Sequence, residues 1–191
     1  MFGSALMAAL AAVTALALLS GYLTYRFRKE ADREAARARK RSEAAFRRSG
    51  HVPDRVLCCG EAHRQVCLLA DRAGGILRIE APGVGLRRDI RFRELLGFQL
   101  LGNGTPLDQA GILAGPAAGP AAAADLSAPP ERLQLMLYLT DPLEPALGVD
   151  LLLSSADRPL RGGPQGTVFV RESLELLREI LKQARPGPSG P

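Results

Sequence analysis

The sequence that decides the predicted architecture is FGSALMAALAAVTALALLSGYLTY (residues 2–25), which runs directly into the basic sequence RFRK (26–29). A helix rises about 1.5 Å per residue, so this uncharged stretch would extend about 36 Å, enough to cross a hydrocarbon core about 30 Å thick. Its leucines lie around the whole helix circumference, which argues against an amphipathic helix packed on a core. The pattern therefore predicts a transmembrane helix at residues 2–25.

The alternative for this stretch is a cleaved secretory signal, which needs positive charge before a short apolar run. Here the positive charge follows the run, because residues 26–48 contain ten Lys and Arg and residues 1–25 contain none. By the positive-inside rule, this asymmetry places the C-terminal part in the cytoplasm. The sequence therefore predicts a single-pass protein of the bacterial inner (plasma) membrane.

Residues 26–50 are rich in Ala, Arg and Glu, which predicts a basic juxtamembrane helical stalk that ends before Pro53. This segment carries the excess positive charge of the chain, and few aromatic side chains interrupt it, so binding to nucleic acid is not expected. Five basic residues are candidates for contact with anionic lipid headgroups: Arg26, Arg28, Lys29, Arg33 and Arg37. The alternative is a solvated spacer whose charges only fix the topology.

Beyond Pro53 the hydrophobic pattern changes from helical spacing to alternation, which indicates short strands. Seven strands are predicted, at 55–59, 64–69, 76–80, 89–92, 95–101, 133–140 and 147–153. A C-terminal amphipathic helix follows at about 169–183, because apolar residues recur there at three- and four-residue spacing. The predicted fold class is α+β, with an antiparallel β-sheet or partial-barrel domain at 51–185 that this helix caps.

Two segments are predicted to be disordered. Residues 105–131 form an insert rich in Pro, Gly and Ala, which lacks the side chains to pack a core. Residues 186–191, PGPSGP, form the C-terminal tail.

The only cluster with possible chemistry is Cys58, Cys59, His63 and Cys67. Neighbouring residues on a strand point to opposite faces, so Cys58 and Cys59 cannot easily bind one metal ion. An odd number of cysteines without framework spacing is typical of a reducing compartment. We predict that these cysteines are core residues and that no metal or cofactor is bound; the alternative is a metal or thiol site.

No other pattern indicates an enzyme, since the chain has no phosphate-binding loop and no histidine beside a nucleophile. Arg87, Arg88, Arg91 and Arg93 lie on or next to one predicted strand and could offer a positive edge to phosphate headgroups. Charges on an edge strand also prevent it from pairing with another chain, which is the alternative.

Residues 90–104, IRFRELLGFQLLGNG, are followed by a small-residue insert, an alternating strand and a terminal helix. This order resembles a bacterial pleckstrin-homology-like (PH-like) domain family of unknown function, over about residues 75–184. The resemblance implies a PH-like β domain with a scaffold role and no catalytic residue. The chain departs from the family in lacking a paired-cysteine zinc ribbon and in the Pro/Ala-rich insert.

Together these patterns predict a non-enzymatic, single-pass membrane protein that presents a small cytoplasmic β-domain as a docking or scaffold module. Its predicted partners are membrane lipids and a protein. The alternative is a module at the inner leaflet that binds anionic lipid headgroups or depends on a metal or thiols.

Overall fold

The structure, a computed structural model, describes residues 2–60, 65–111, 132–153 and 163–184, with the backbone alone at 2–12, 28, 31, 152–153 and 163–166. Helix α1 spans Phe2–Arg48 and helix α2 spans Gly163–Ala184. The described residues between them form eight strands: β1 Arg55–Cys59, β2 Val66–Asp71, β3 Ile76–Ala81, β4 Leu86–Arg91, β5 Leu95–Gly102, β6 Thr105–Gly111, β7 Arg132–Leu139 and β8 Ala146–Leu153.

The prediction of a transmembrane helix is wrong. Within the residues whose side chains are described, no helix is long and apolar enough to cross a membrane. In that part of α1 the uncharged stretch runs only from Val13 to Tyr25, whereas a crossing needs about 20 apolar residues. The same finding contradicts the predicted inner-membrane, single-pass localisation.

The eight strands form two open antiparallel sheets, so the predicted single sheet or partial barrel is also wrong. The first sheet has the strand order β1-β2-β3-β4, and the second has the order β6-β5-β7-β8. The chain passes from the first sheet to the second through a 3₁₀ turn at Phe92–Glu94. Since only this turn separates β4 from β5, both sheets derive from one continuous run of strands.

Strand β6 lies at residues that the composition assigned to the disordered insert. It pairs with β5 through a two-residue turn at Asn103 and Gly104, whose φ angles of 51° and 82° match the left-handed turn that closes tight hairpins. Pro106 is tolerated because β6 is an edge strand. Of the predicted insert, 112–131 lies outside the described residues, as does the predicted tail at 186–191.

One hydrophobic core is shared by the two sheets and α2. Alternate residues of β2 and β3 point into it from the first sheet, and Phe98, Leu135 and Leu137 are fully buried in it from the second. Helix α2 closes the core with Phe169, Leu174, Leu176, Leu177, Ile180 and Leu181, which confirms most of the predicted apolar stripe. The outer face of each sheet, opposite the core, is therefore the surface whose side chains are not used in packing this core.

Candidate functional site

Most of the buried polar side chains among the described residues lie on or beside the outer face of the first sheet, which points away from the core. Strand register places Cys58, Cys67, Glu80 and Arg87 in one row across β1–β4, with Val56, Leu69, Arg78 and Asp89 in the next. The alternate rows hold apolar core residues such as Leu57, Leu68 and Ile79. Period-two alternation thus separates an ionic face from an apolar one.

The C-terminal part of α1 lies on this outer face. Phe46 is fully buried there and forms a small cluster with Cys67 and Leu69, separate from the main core. Further towards the N-terminus, Gln65 donates from Nε2 to the Ala35 carbonyl at 3.1 Å. Small side chains on α1, such as Ala38 and Ser42, allow the helix to approach closely, so the segment that we interpreted as a spacer contacts the sheet along several turns.

Arg78 is the centre of the contact between α1 and the outer face. Its side chain is 2% exposed, and its guanidinium donates to both carboxylate oxygens of Asp89 at 2.5 and 2.6 Å. The same guanidinium lies 4.8 Å from the centre of the Phe46 ring, within the range of a cation–π interaction. A buried arginine that satisfies a carboxylate and an aromatic ring at once fixes the helix position on the sheet.

The guanidinium also reaches the end of the helix. Arg78 donates from Nη2 to Ser49 Oγ at 2.9 Å, and Ser49 Oγ donates to the Phe46 carbonyl at 2.7 Å. Gly50, with φ +87°, ends the helix and donates to the Arg47 carbonyl. Because helix C-termini carry partial negative charge, a cation at this point stabilises the end of α1.

Two aspartates of this face have lowered pKa values for different reasons. The hydrogen bonds from Arg78, followed by the charge of that residue, hold the pKa of Asp89 below its usual range. The backbone N–H of Gly74 is the main cause for Asp71, with further hydrogen bonds from the Val52 N–H and from His51 lowering its pKa. Both carboxylates are therefore ionised in the folded protein well below neutral pH.

The cysteines do not gather at one point. Cys58 and Cys67 occupy facing positions on β1 and β2 and are joined in a disulfide, which the interpretation as three separate core cysteines did not include. Cys59 points to the other face, as predicted, and burial raises the pKa of its free thiol. His63 lies outside the described residues, and no group of residues suited to hold a metal ion occurs in the part of the chain that the structure describes.

An open cavity of about 360 Å³ lies beside the disulfide, where the free edge of β1 runs between α1 and α2. Cys58 lines it from the sheet, Arg39 from α1 and Glu172 from α2. Val168 and Phe169 provide an apolar wall. The cavity therefore brings one cysteine of the disulfide together with one residue of each charge.

Four of the predicted lipid-contact residues precede Ala35, whose carbonyl contacts Gln65, and the exposed Arg37 follows it. Arg26 pairs with Glu30 at 3.5 Å, Lys29 lies 5.8 Å from the centre of the Tyr25 ring, and Arg33 and Arg37 are exposed. The side chain of Arg28 is outside the described residues. Their role as lipid contacts stays a prediction.

Three of the four arginines of the predicted positive edge lie near carboxylates, and the fourth, Arg93, is exposed in the 3₁₀ turn at Phe92–Glu94. Arg87 approaches Glu80 at 3.3 Å, and Arg88 pairs with both Asp141 and Glu144 at 2.9 and 3.2 Å. Arg91 lies 3.9 Å from Glu94. The arrangement favours a self-paired edge over a site for phosphate groups.

The outer face of the second sheet, which we call the open face, has an uncharged polar centre. Tyr138 donates from its hydroxyl to Gln99 Oε1 at 3.1 Å, and Gln99 donates from Nε2 to Gln109 Oε1 at 3.3 Å. At one end of this face Arg132 forms a bidentate pair with Asp150, at 2.9 and 3.2 Å. These side chains bond to one another along the sheet rather than to a covering helix.

The geometry defines the class as a two-sheet β domain with an N-terminal helix fastened to one sheet by a buried arginine and a second helix closing the core. A scan against protein-family models, a search of curated proteins and a search of solved structures each returned no match. The PH-like resemblance therefore stays a prediction, and function has to be argued from this chain's own residues.

Proposed function

We propose that this protein is a non-enzymatic docking module that uses the exposed apolar part of α1 to bind a partner protein. The observation that carries this proposal is the exposure of residues 13–27, which we call the apolar arm. Within it, Leu18 is 75% exposed, Phe27 is 67% exposed and Leu23, the least exposed of its large apolar side chains, is 43% exposed. Contiguous apolar surface of this kind marks an interaction site.

The fastening of α1 to the first sheet supports this role. Because Phe46, Ser49 and Arg78 fix the C-terminal end of the helix, the apolar arm is held in a constant direction. Residues 13–35 of a straight helix extend about 33 Å, so the arm reaches well beyond the sheet to which α1 is attached. A rigid arm on a rigid domain reduces the conformational entropy that a partner must remove on binding.

The partner is defined by the chemistry of the arm and its flank. The arm exposes apolar side chains on all sides, so a partner must enclose it in a cleft rather than cover one stripe. From residue 26 to residue 48 the helix carries ten Lys and Arg against four Asp and Glu, and Arg33, Arg37 and Arg41 are exposed. We therefore infer a protein with an apolar, helix-lined cleft that has acidic residues at its mouth.

The experiment places a photo-crosslinking residue at Leu18 of the full chain, with Leu143 as the matched control position. Leu143 is 94% exposed but isolated in a loop, so it reports nonspecific crosslinking to an exposed apolar side chain. We expect crosslinks to one protein from Leu18 only. The purified partner should bind the unmodified chain and the Leu143→Glu variant, with weaker binding at higher salt, and should lose binding to a Leu16→Glu, Leu23→Glu double variant.

Other outcomes contradict the proposal. Crosslinks from Leu18 only to lipid, or only to a second copy of the chain, would assign the apolar arm to a different kind of contact. Equal binding of the partner to the double variant would move the docking surface away from the arm. Thermal melting of each variant checks that the β domain remains folded.

A further inference from the structure

Cys58 and Cys67 are placed by the sheet, not by a loop, within bonding distance of each other. They face one another on β1 and β2 with a Cα–Cα distance of 4.2 Å. Antiparallel strands alternate between wide pairs and narrow pairs, and a narrow pair has a Cα–Cα distance of about 4.5 Å. The two sulfurs therefore meet without any movement of the backbone.

The two sulfurs differ in access. Cys67 is 1% exposed and packs beneath Phe46 and Leu69 on an inner strand of the sheet. Cys58 is half-buried, belongs to the edge strand β1 and lines the cavity of about 360 Å³ between α1 and α2. A reagent that enters this cavity meets Cys58, whereas Cys67 does not line the cavity.

The cavity walls indicate which reagent fits. Arg39, which also pairs with Glu43 at 3.0 Å, and Glu172 place one positive and one negative side chain on different helices around the cavity, and Phe169 also lines it. The size is at the lower end of the range for small-molecule pockets. A small peptide thiol that carries both carboxylate and ammonium groups, such as glutathione, matches these charges.

The disulfide is not required to hold its two strands together. The bonded cysteines are 9 residues apart in sequence, and four other facing pairs already join β1 to β2. Closing a loop of this length constrains the unfolded chain less than a long-range crosslink does. Because the other facing pairs join the same two strands, the bond can open and close without separating β1 from β2.

We propose that the Cys58–Cys67 pair is a thiol–disulfide exchange site, at which a small zwitterionic thiol attacks the sulfur of Cys58 through the adjacent cavity. The thiolate forms a new S–S bond to Cys58, the Cys58–Cys67 bond breaks, and Cys67 leaves as a thiolate that takes up a proton. A second thiolate then attacks the small-molecule sulfur of the mixed disulfide and releases Cys58 as a thiolate. The products are a reduced pair and one molecule of the oxidised small disulfide.

This site is independent of the docking role of the apolar arm. It lies at the other end of α1, and none of its residues belongs to residues 13–27. Failure of the exchange experiment would leave the docking proposal standing, and failure of the crosslinking experiment would leave the exchange site standing.

The first experiment treats the folded full-length chain with reduced glutathione, blocks free thiols with an alkylating reagent and maps each cysteine by mass spectrometry. We expect opening of the Cys58–Cys67 bond under native conditions, with a transient glutathione adduct on Cys58. An adduct found on Cys67, or a bond that opens only after denaturant is added, would overturn the proposal.

The second experiment separates the two sulfurs with oxidised glutathione. The Cys67→Ala variant should form an adduct at Cys58, whereas the Cys58→Ala variant should form none at Cys67. The matched control is Cys59→Ala in a chain that keeps both Cys58 and Cys67. Because Cys59 faces the core, this substitution should leave the exchange rate unchanged. Equal labelling of Cys58 and Cys67 in folded variants, as judged by thermal melting, would refute the predicted direction of attack.

The third experiment tests the role of the cavity charges. Arg39→Ala and Glu172→Gln should each slow reaction with glutathione about threefold, the size expected for a partly exposed charge contact. The rate with 2-mercaptoethanol, which carries no charge, should not change. A parallel change in both rates would mean that the substitutions act on the sulfur's surroundings and not on recognition of the thiol.

Discussion

The outer face of each sheet carries a bidentate arginine–aspartate pair, and the two pairs differ in their exposure to solvent. On the first sheet Arg78 and Asp89 form a bidentate pair in which the arginine is 2% exposed beneath α1. On the second sheet Arg132 and Asp150 form the same pair at the open face, with 53% and 32% of their side chains exposed. From this comparison we expect cover by a helix, and not the pair itself, to decide how much the loss of one partner costs in stability.

The largest difference between the faces should come from removing the helix contact. Phe46→Ala deletes a fully buried ring together with its cation–π contact to Arg78, and we expect it to lower the free energy of unfolding by about 3 kcal/mol. Phe27→Ala, the same substitution at a ring that is 67% exposed, should change it by less than about 0.5 kcal/mol. Urea unfolding followed by circular dichroism measures both, and similar losses would show that α1 is not fastened at Phe46.

The next largest effect should come from the ion pairs themselves. Asp89→Ala leaves the buried guanidinium of Arg78 with only the longer contact to Glu80, at 3.7 Å, and we expect a loss of about 2 kcal/mol, less than for a fully enclosed pair because the Asp89 side chain is 42% exposed. Asp150→Ala breaks the exposed pair and should cost well under 1 kcal/mol. A loss for Asp150→Ala as large as that for Asp89→Ala, in the same urea experiment, would remove the distinction between the two faces.

The period-two pattern predicted two strands of the first sheet well and displaced the other two, since the predicted strands at 64–69 and 89–92 correspond to β2 at Val66–Asp71 and β4 at Leu86–Arg91. The strands at 55–59 and 76–80 were placed within one residue of β1 and β3, and alternation alone put Cys58 and Cys59 on opposite faces. What alternation could not predict was the pairing of Cys58 with Cys67, since alternation assigns each residue to a face of its strand but does not fix the register between two strands. The division of the strands into two sheets depends on contacts far apart in sequence, which local patterns do not contain.

Two other features were missed for identifiable reasons. The sequence Asn103-Gly104 is a strong hairpin signal, but the Pro/Ala-rich composition that follows led us to assign Thr105 onward to the insert instead of to β6. The contact of α1 with the sheet was hidden because Ala35, Ala38 and Ser42 form a narrow small-residue stripe among many charges. Such a stripe has a low hydrophobicity, and only Phe46 signalled a buried position.

A smaller effect should follow from disturbing the hairpin that adds β6 to the second sheet. Gly104 has φ +82°, so Gly104→Ala should cost about 1 kcal/mol and weaken the pairing of β6 with β5. Gly104→Asn is the matched variant, because asparagine tolerates this conformation and already adopts it at Asn103. Amide hydrogen exchange should show faster exchange in β6 for the alanine variant only, while faster exchange in β1–β4 would contradict the separation of the two sheets.

The smallest and most gradual loss of stability should come from lowering the pH. The folded protein holds the pKa of Asp89, through Arg78, and of Asp71, mainly through the Gly74 N–H, below the ordinary value of 3.8, so the folded state binds protons less readily than the unfolded state. Their contribution to stability is complete above about pH 5 and is lost as the pH falls through 3.8 towards the folded-state values.

Protonation leaves a carboxyl group that can still accept hydrogen bonds, so the acid effect should be weaker than deletion of the side chain. Unfolding free energies measured from pH 5 downward should decline less steeply in Asp89→Asn than in the unmodified chain, because the variant has no carboxylate to titrate at Arg78. Asp150→Asn, on the open face, is the control. If the two variants showed the same pH dependence, the buried guanidinium would not be the source of acid sensitivity on the helix-covered sheet.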